Sequence, residues 1–356
     1  MCDERSIRKE MMTLPKQLST LINTLTNVVL VDQTTIKFLQ MDETFKSLTI
    51  ERLPRDAFLE EIRNFDQSHE LITVNKNQLE NGLVVKVPRK FTSDAILHIF
   101  YIGNQDSFTL QTLYQIEPLS NFKLFEYVYS NVKESLNIVT YSDIKENAQF
   151  TYTSLSQSDH ANANAIIRDA YVHRYGKFLL TNAAFSDALT HQMNHVHLVG
   201  DYASATTKTI AVTNKNQEAS YHTVVEHEAP FTEGYIEHYG VANDDSTLLF
   251  EGVGKIHKNM KRSIAKQSNK GVIIGAKARL DANPLLIIDE FDVEAGHGAA
   301  IGQIDEDQLY YLMSRGLTRK DAERLIINGF LAALNNVVGS ETLKDYIQLL
   351  LNHKTN

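Results

Sequence analysis

Hydrophobic and polar positions change rhythm twice along the chain. Through residue 78, apolar side chains recur at helical spacing among charged ones. Arg55 to Phe65 is an example, with Phe58, Leu59 and Ile62 on one side, and the stretch reads as helices and loops. At Asn81-Gly82 the rhythm shortens to runs of strand length: LVVKV, AILHIFYI, Phe108 to Ile116 and FKLFEYVYS, each bounded by Asn, Asp, Ser, Gly or Pro. Further candidate strands follow at Leu136 to Thr140, Gln149 to Leu155, Ala165 to Val172, His195 to Val199, Lys208 to Thr213 and His222 to His227. The series continues at Tyr235 to Val241, Thr247 to Gly252, Gly271 to Ile274 and Leu285 to Ile288. After Ile304 helical spacing returns. Asp305, Glu306 and Asp307 set acids against the positive end of a helix dipole, with Gln308 at the capping-box position. Leu309, Leu312 and Met313 form the apolar side of this helix, and Gly316 suits its stop. Thr318 to Asp321 opens a second helix, with Ala322, Leu325, Ile326, Phe330, Ala333 and Leu334 as its stripe. Ser340 can cap a third, with Leu343, Tyr346, Ile347 and Leu350 inward. The expected domains are an N-terminal helical or mixed domain (1–78), a β core (79–303) and a C-terminal helical domain (304–356).

From Ile210 the apolar centres repeat every 12 to 14 residues, at Val224, Ile236 and Leu248. Hairpin proteins, sandwiches and solenoids share that period. Within the β region Asn81-Gly82 is the only Asn-Gly, Asp-Gly is absent, and the whole chain has 6 prolines. This scarcity of tight-hairpin pairs favours a solenoid. The predicted class is mostly β: a right-handed parallel β-helix flanked by an N-terminal α-containing domain and a C-terminal helical domain.

Composition narrows the partners. A net charge of −9 works against a nucleic-acid or anionic-membrane surface, either of which needs a basic face, and leaves a protein or small ligand as the expected partner. Cys2 is the sole cysteine, which excludes an internal disulfide and an all-thiolate metal or cluster site within one chain. The N-terminus has no apolar signal-like core, and no apolar run approaches the length of a membrane span, so cytoplasmic residence is expected.

Three constellations bear on chemistry. His191, His195 and His197 lie in HQMNHVHL, with His222, His227 and His238 downstream. Strand alternation would put His195 and His197 on one face, as weak metal-ligand candidates or as polar surface. Glu226 and Glu228 share a face that His227 does not, which offers paired carboxylates to a carbohydrate-active β-helix or simply a solvated surface. Gly296 to Gly302 resembles a dinucleotide loop, but its last gap is one residue too long and it does not open a helix. Walker and G-x-S-x-G elements are absent, and Cys2 lies on an unanchored terminus, so no nucleophile is visible.

From Phe250 the chain reads FEGVGKI, QSNKGVIIGAKA and NPLLIIDEFDVEAGHGAAIGQIDEDQLYYLMSRGLTRKDAERLIINGF. This run resembles the SufB/SufD family, the paired scaffold subunits of the Suf iron–sulfur assembly system. The pattern is carried by Pro284, Leu286, Ile288, Asp292, Val293, His297, Gly298, Ala299, Gly302, Asp305, Leu309, Tyr311, Leu312, Arg315, Gly316, Ala322 and Phe330. NGLVVKVPRK with AILHIFYI resembles the family's entry into its β-helix. His-Gly-Ala followed by Gly is closer to SufD than to SufB, which has His-Glu-Ala-Thr there. The resemblance implies a non-catalytic subunit whose β-helix edge pairs with a SufB-like paralogue. It also implies that the C-terminal helices, through Leu309, Tyr311, Leu312, Arg315, Gly316, Leu325 and Phe330, dock the ABC-type ATPase SufC. A homodimer is expected when the chain is alone. The resemblance further places His297 at the interface where a cluster forms, as a ligand or as a structural histidine in a Gly-flanked turn. Where SufD sequences often carry a cysteine, two residues earlier, this chain has Ala295, so thiolates would come from the partner. No cofactor is expected on this chain alone, although a cluster shared with the partner is possible.

Overall fold

The structure, a computed structural model, describes residues 14–103, 106–158, 163–331 and 341–355; Cys2, Ala333, Leu334 and Ser340 lie outside them. Two sheets face each other. One stacks β5 (Leu97–Gly103), β7 (Asn121–Ser130), β9 (Gln149–Ser158), β11 (Lys177–Ala184), β13 (Ser204–Thr213), β15 (Glu233–Ala242), β17 (Ile264–Ile273) and β19 (Glu294–Gln303). The other stacks β4 (Asn81–Val87), β6 (Phe108–Ile116), β8 (Ser135–Ile144), β10 (Ala163–Val172), β12 (Leu189–Leu198), β14 (Glu218–His227), β16 (Thr247–Ile256) and β18 (Arg279–Ile288). Within each stack every pair is parallel, so the chain winds as a β-solenoid of about seven turns, giving one strand per turn to each sheet. The expected β-helix is therefore observed. The 12-to-14-residue period is a half-turn: Ile210 and Ile236 belong to one sheet, Val224 and Leu248 to the other. A full turn runs from 26 residues (Ala163 to Leu189) to 32 (Thr247 to Arg279).

Residues before 79 close one end. β1 (Val28–Val31) pairs parallel with β5, and β2 (Ile36–Leu39) pairs antiparallel with β1. β3 (Thr49–Pro54) runs antiparallel to β4. Helices then cover the outer faces: α2 (Arg55–Glu61) and α3 (Glu70–Gln78) bury Phe58, Ile62 and Ile72 against Val84, Leu113 and Val139 of the even-numbered sheet. α1 (Lys16–Thr24) and the C-terminal α6 (Glu341–Lys354) bury Leu18, Leu21, Ile347 and Leu350 against Phe100, Tyr127 and Leu155 of the odd-numbered one. This double cover explains why the middle residues of β5 to β10 are buried on both faces instead of alternating between buried and exposed. Between the sheets, Phe122, Phe150 and Phe178 stack rung on rung at 5.6 and 5.7 Å.

The interior also holds a polar seam. Register places Glu126, Ser154, Asn182, Thr209, His238 and Asn269 in one inward column, facing Thr140, Arg168, Asn194 and Thr223 of the other sheet. These residues bond across the gap. Arg168 donates to Ser154 Oγ (2.6 Å) and ion-pairs with Glu126 (3.5 Å). Asn194 donates to Asn182 (3.3 Å), and His238 lies between Thr223 (3.1 Å) and Asn269 (2.8 Å). Buried polar groups persist when they have partners, and parallel stacking supplies many of them, although Thr140 Oγ1, Arg168 Nη1 and Asn269 Nδ2 lack one among the described residues.

After the last strand come α4 (Glu306–Ser314) and α5 (Arg319–Phe330), capped by Asp305 and Thr318 through the bonds their side chains accept from Asp307 N and Asp321 N. Gly316 holds a φ of +97° in the turn between them. α6 does not extend this pair. It packs back along the solenoid, with Tyr346 Oη 3.0 Å from Tyr127 Oη. Among the described residues no helix is long and apolar enough to cross a membrane.

Candidate functional site

Cover over the solenoid runs out toward its far end. β18 and β19 are the terminal strands of their sheets, each paired on one side only. Leu285, Ile287 and Ile288 are 46%, 52% and 38% exposed, and Phe291 stands free in the loop between the two strands. β18 carries Pro284, which lacks a ladder donor, whereas β19 runs ten residues without proline, and a long open edge of this kind can take another strand.

His297 lies on this edge. It sits in extended strand, not in a turn: Gly296, Gly298 and Gly302 have no left-handed φ, because the pairing of β19 with β17 holds the segment straight. A Cβ at any of the three would meet nothing within 4 Å, so these glycines keep the rung flat and open. Through register His297 ends an inward column that runs Leu124, Tyr152, Leu180, Thr207, Ile236, Gln267. Every member before His297 is buried by the rung above it, whereas His297 has none and is exposed. Beneath it Gln267 donates to the carbonyl of Leu285 at 2.7 Å.

The residues expected to dock a partner divide by exposure. Leu309 is buried in α4, so it supports the surface without forming it. Phe330 is half-buried on Tyr239 of the solenoid, at 6.0 Å between ring centres. Tyr311, Arg315, Gly316 and Leu325 are exposed and Leu312 is partly so; the Arg315 guanidinium lies 5.3 Å from the Tyr311 ring centre. Tyr310, Met313 and Leu317 complete this apolar surface. Tyr310 and Leu317 fall off the helical stripe that periodicity picks out, which is why the sequence did not single them out.

A second constellation lies on the outer face of the even-numbered sheet, at the rim of the N-terminal helical cover, where Phe65 packs on Tyr141 and Tyr171. His195 and His197 of β12 share that face, ring centres 3.9 Å apart, as alternation predicts. Parallel stacking adds neighbours from distant parts of the chain. Asp169 on β10 lies 3.2 Å from His197 Nε2, and Glu228 beyond β14 accepts from His197 Nδ1 at 2.6 Å. Glu226 on β14 takes His195 (3.2 Å), His257 (2.9 Å) and Lys255 (3.2 Å). The His195 contact, joined by those of His257 and Lys255, outweighs burial and holds the Glu226 carboxyl well below the ordinary carboxylate range; His197 likewise lowers Glu228. Burial alone would lower His197, yet Asp169 and Glu228 push it up to about 9. A carboxylate held ionised in this way is a poor general acid. His227, between the two glutamates, points inward and is fully buried against Thr232.

Residues 100–330 match the family model described as SUF system FeS cluster assembly, SufBD core domain. The iron–sulfur cluster assembly protein SufD of Bacillus subtilis is 32% identical over 292 residues, covering 80% of this chain and 67% of that protein. The protein of the same name from Escherichia coli is 29% identical over 48% of this chain and 39% of its own length. An iron–sulfur cluster assembly SufBD family protein of Staphylococcus epidermidis is 22% identical over 53% of this chain and 40% of its own.

Proposed function

Because this chain belongs to the SufB/SufD family, on its SufD side, we propose that it is a non-catalytic, cytoplasmic subunit of a Suf iron–sulfur cluster assembly complex. The observation that carries the reading is the open last rung. An uncapped strand pair with exposed Leu285 and Ile287 and an upturned His297 supports pairing with a SufB-like paralogue, each β-solenoid continuing the other's sheets. An isolated chain has the same edge to satisfy, which favours self-association until the paralogue is present. The exposed apolar surface of α4 and α5, around Tyr311, Arg315 and Leu325, is the proposed dock for the ATPase SufC.

In this assembly the cluster is cargo, and His297 offers it a single imidazole nitrogen. The one cysteine of the chain, Cys2, cannot supply a set of thiolates, so these come from the paralogue. The three chains should co-elute when co-expressed. Separate migration of the chains would refute the reading. His297→Ala should leave assembly intact and lower cluster yield in the reconstituted complex, and unchanged yield would make His297 structural. Leu325→Glu should release the ATPase alone.

A further inference from the structure

On the outer sheet face, far from the open rung in sequence and rung order, we propose that Asp169, His195 and His197 form a binding site for one divalent first-row transition-metal ion. One ligand atom from each side chain lies within 4.8 Å of the other two. Two imidazoles and a carboxylate are a borderline donor set of the kind that takes Zn²⁺, Co²⁺ or Fe²⁺.

The contact between Asp169 and His197 carries the argument. Both residues are more than nine-tenths buried. Their 3.2 Å separation suits an ion pair, but the ring N–H does not line up with the carboxylate. Both Asp169 oxygens and His197 Nε2 are consequently buried without a hydrogen-bond partner. A carboxylate buried this deeply needs a cation beside it; protonated His197 supplies one, and a metal ion that displaces its proton would engage all three atoms. Adjacent ligands of a four- or six-coordinate ion with bonds near 2.1 Å stand roughly 3 Å apart, close to the 3.2 Å between Asp169 and His197 Nε2.

The surroundings fit the same occupant. Glu228 accepts from His197 Nδ1, so when the ring gives up its second proton to an incoming metal it is Nε2, on the Asp169 side, that is freed to bind. A carboxylate behind a ligating imidazole fixes its tautomer and strengthens it as a ligand. Glu226 holds His195 from the next rung in the same way and keeps a second negative charge beside the ion. Asp169 and His195 are direct register partners on neighbouring strands, so the site is anchored on sheet and not on loop. Tyr171 stacks on His197 at 4.4 Å and limits its rotation.

Co²⁺ titration of the untagged full chain, followed by visible absorption and calorimetry, tests the site. One Co²⁺ per chain is expected, displaced by Zn²⁺. His197→Gln and Asp169→Asn should each weaken it roughly tenfold or more, and Glu228→Gln by roughly ten- to a hundredfold. His222→Gln, on the same face but outside the cluster, and His297→Ala should leave it unchanged. Circular dichroism identifies variants that fold. Absence of stoichiometric uptake by the unmodified chain, or uptake that folded His197→Gln and Asp169→Asn variants retain, would overturn the proposal.

Discussion

The two ends of the solenoid are built from the same strand and turned to opposite purposes. At the first end, β1, β2 and β3 close the sheets, helices cover both faces, and the interior is stacked rings; most of the largest fully buried side chains, from Phe45 through Tyr101 and Phe122 to Phe150, lie toward this end, with Tyr221 farther along. At the last end the interior has shed its rings for Gln267, Asn269 and Ala299, and the outer face carries Leu285 and Ile287 into solvent. Stability is concentrated where the rungs are capped. An open edge is left where they are not, and the polar seam runs from one regime into the other.

The largest effect should come from the capped half. Phe150→Ala removes the middle ring of a stack that also includes Tyr152, and should cost about 3–5 kcal/mol in denaturant unfolding. A cost under about 1 kcal/mol would show that the stack does not anchor the fold. Arg168→Met should cost nearly as much, about 3–4 kcal/mol, by stranding Glu126 in the interior, and Glu126→Gln in the same chain should recover part of the loss. No recovery would separate the seam from the pair.

Acid should act through the middle of the seam. Burial lowers His238 to about 4, with His222 adding to it, and its neutral ring is satisfied by Thr223 and Asn269. The unfolded chain takes up this proton near pH 6.5 and the folded chain near 4. Stability is therefore complete above about pH 6.5 and falls as pH drops toward 4, by up to about 3 kcal/mol. His238→Gln should flatten that slope in urea midpoints compared between pH 7 and 4.5. An unchanged slope would assign the acid sensitivity elsewhere. Smallest of all, Leu285→Ser with Ile287→Ser should shift the stability of the isolated chain by less than about 0.5 kcal/mol, while abolishing co-elution with the paralogue. Loss of folding in that variant would erase the distinction between the ends.

Much of this was legible in the residues. Strand-length apolar runs located most of the solenoid strands, although β1 to β3 lie where helices and loops were expected and β11 and β19 gave no strand signal; the dearth of Asn-Gly and Asp-Gly turns pointed to a solenoid, and Asp305, Gly316 and Thr318 marked helix limits that the structure reproduces. Other features were not, and for one reason: in parallel stacking the nearest neighbour of a side chain lies some 26 to 32 residues away. Asp169 therefore carried no local sign that it meets His195 and His197. Asn182, Thr209 and Asn194 carry no sequence sign of burial, since polar residues usually lie at the surface, yet they point inward and bond to one another. The glycines around His297 read as a turn because glycine permits one. Here they keep a strand thin, and only the absence of a following rung reveals it.

The winding has a consequence for how the molecule comes to exist. Each rung pairs only with the rungs beside it, so ordering can follow the ribosome, with the capped rungs laid down first and each later strand added to a finished template. The strand that bears His297 is then the last of its sheet to be placed. A chain stalled or truncated before β19 would present a different edge, without the histidine, so the partner that recognises this rung would in effect be checking that synthesis of the solenoid had reached its end.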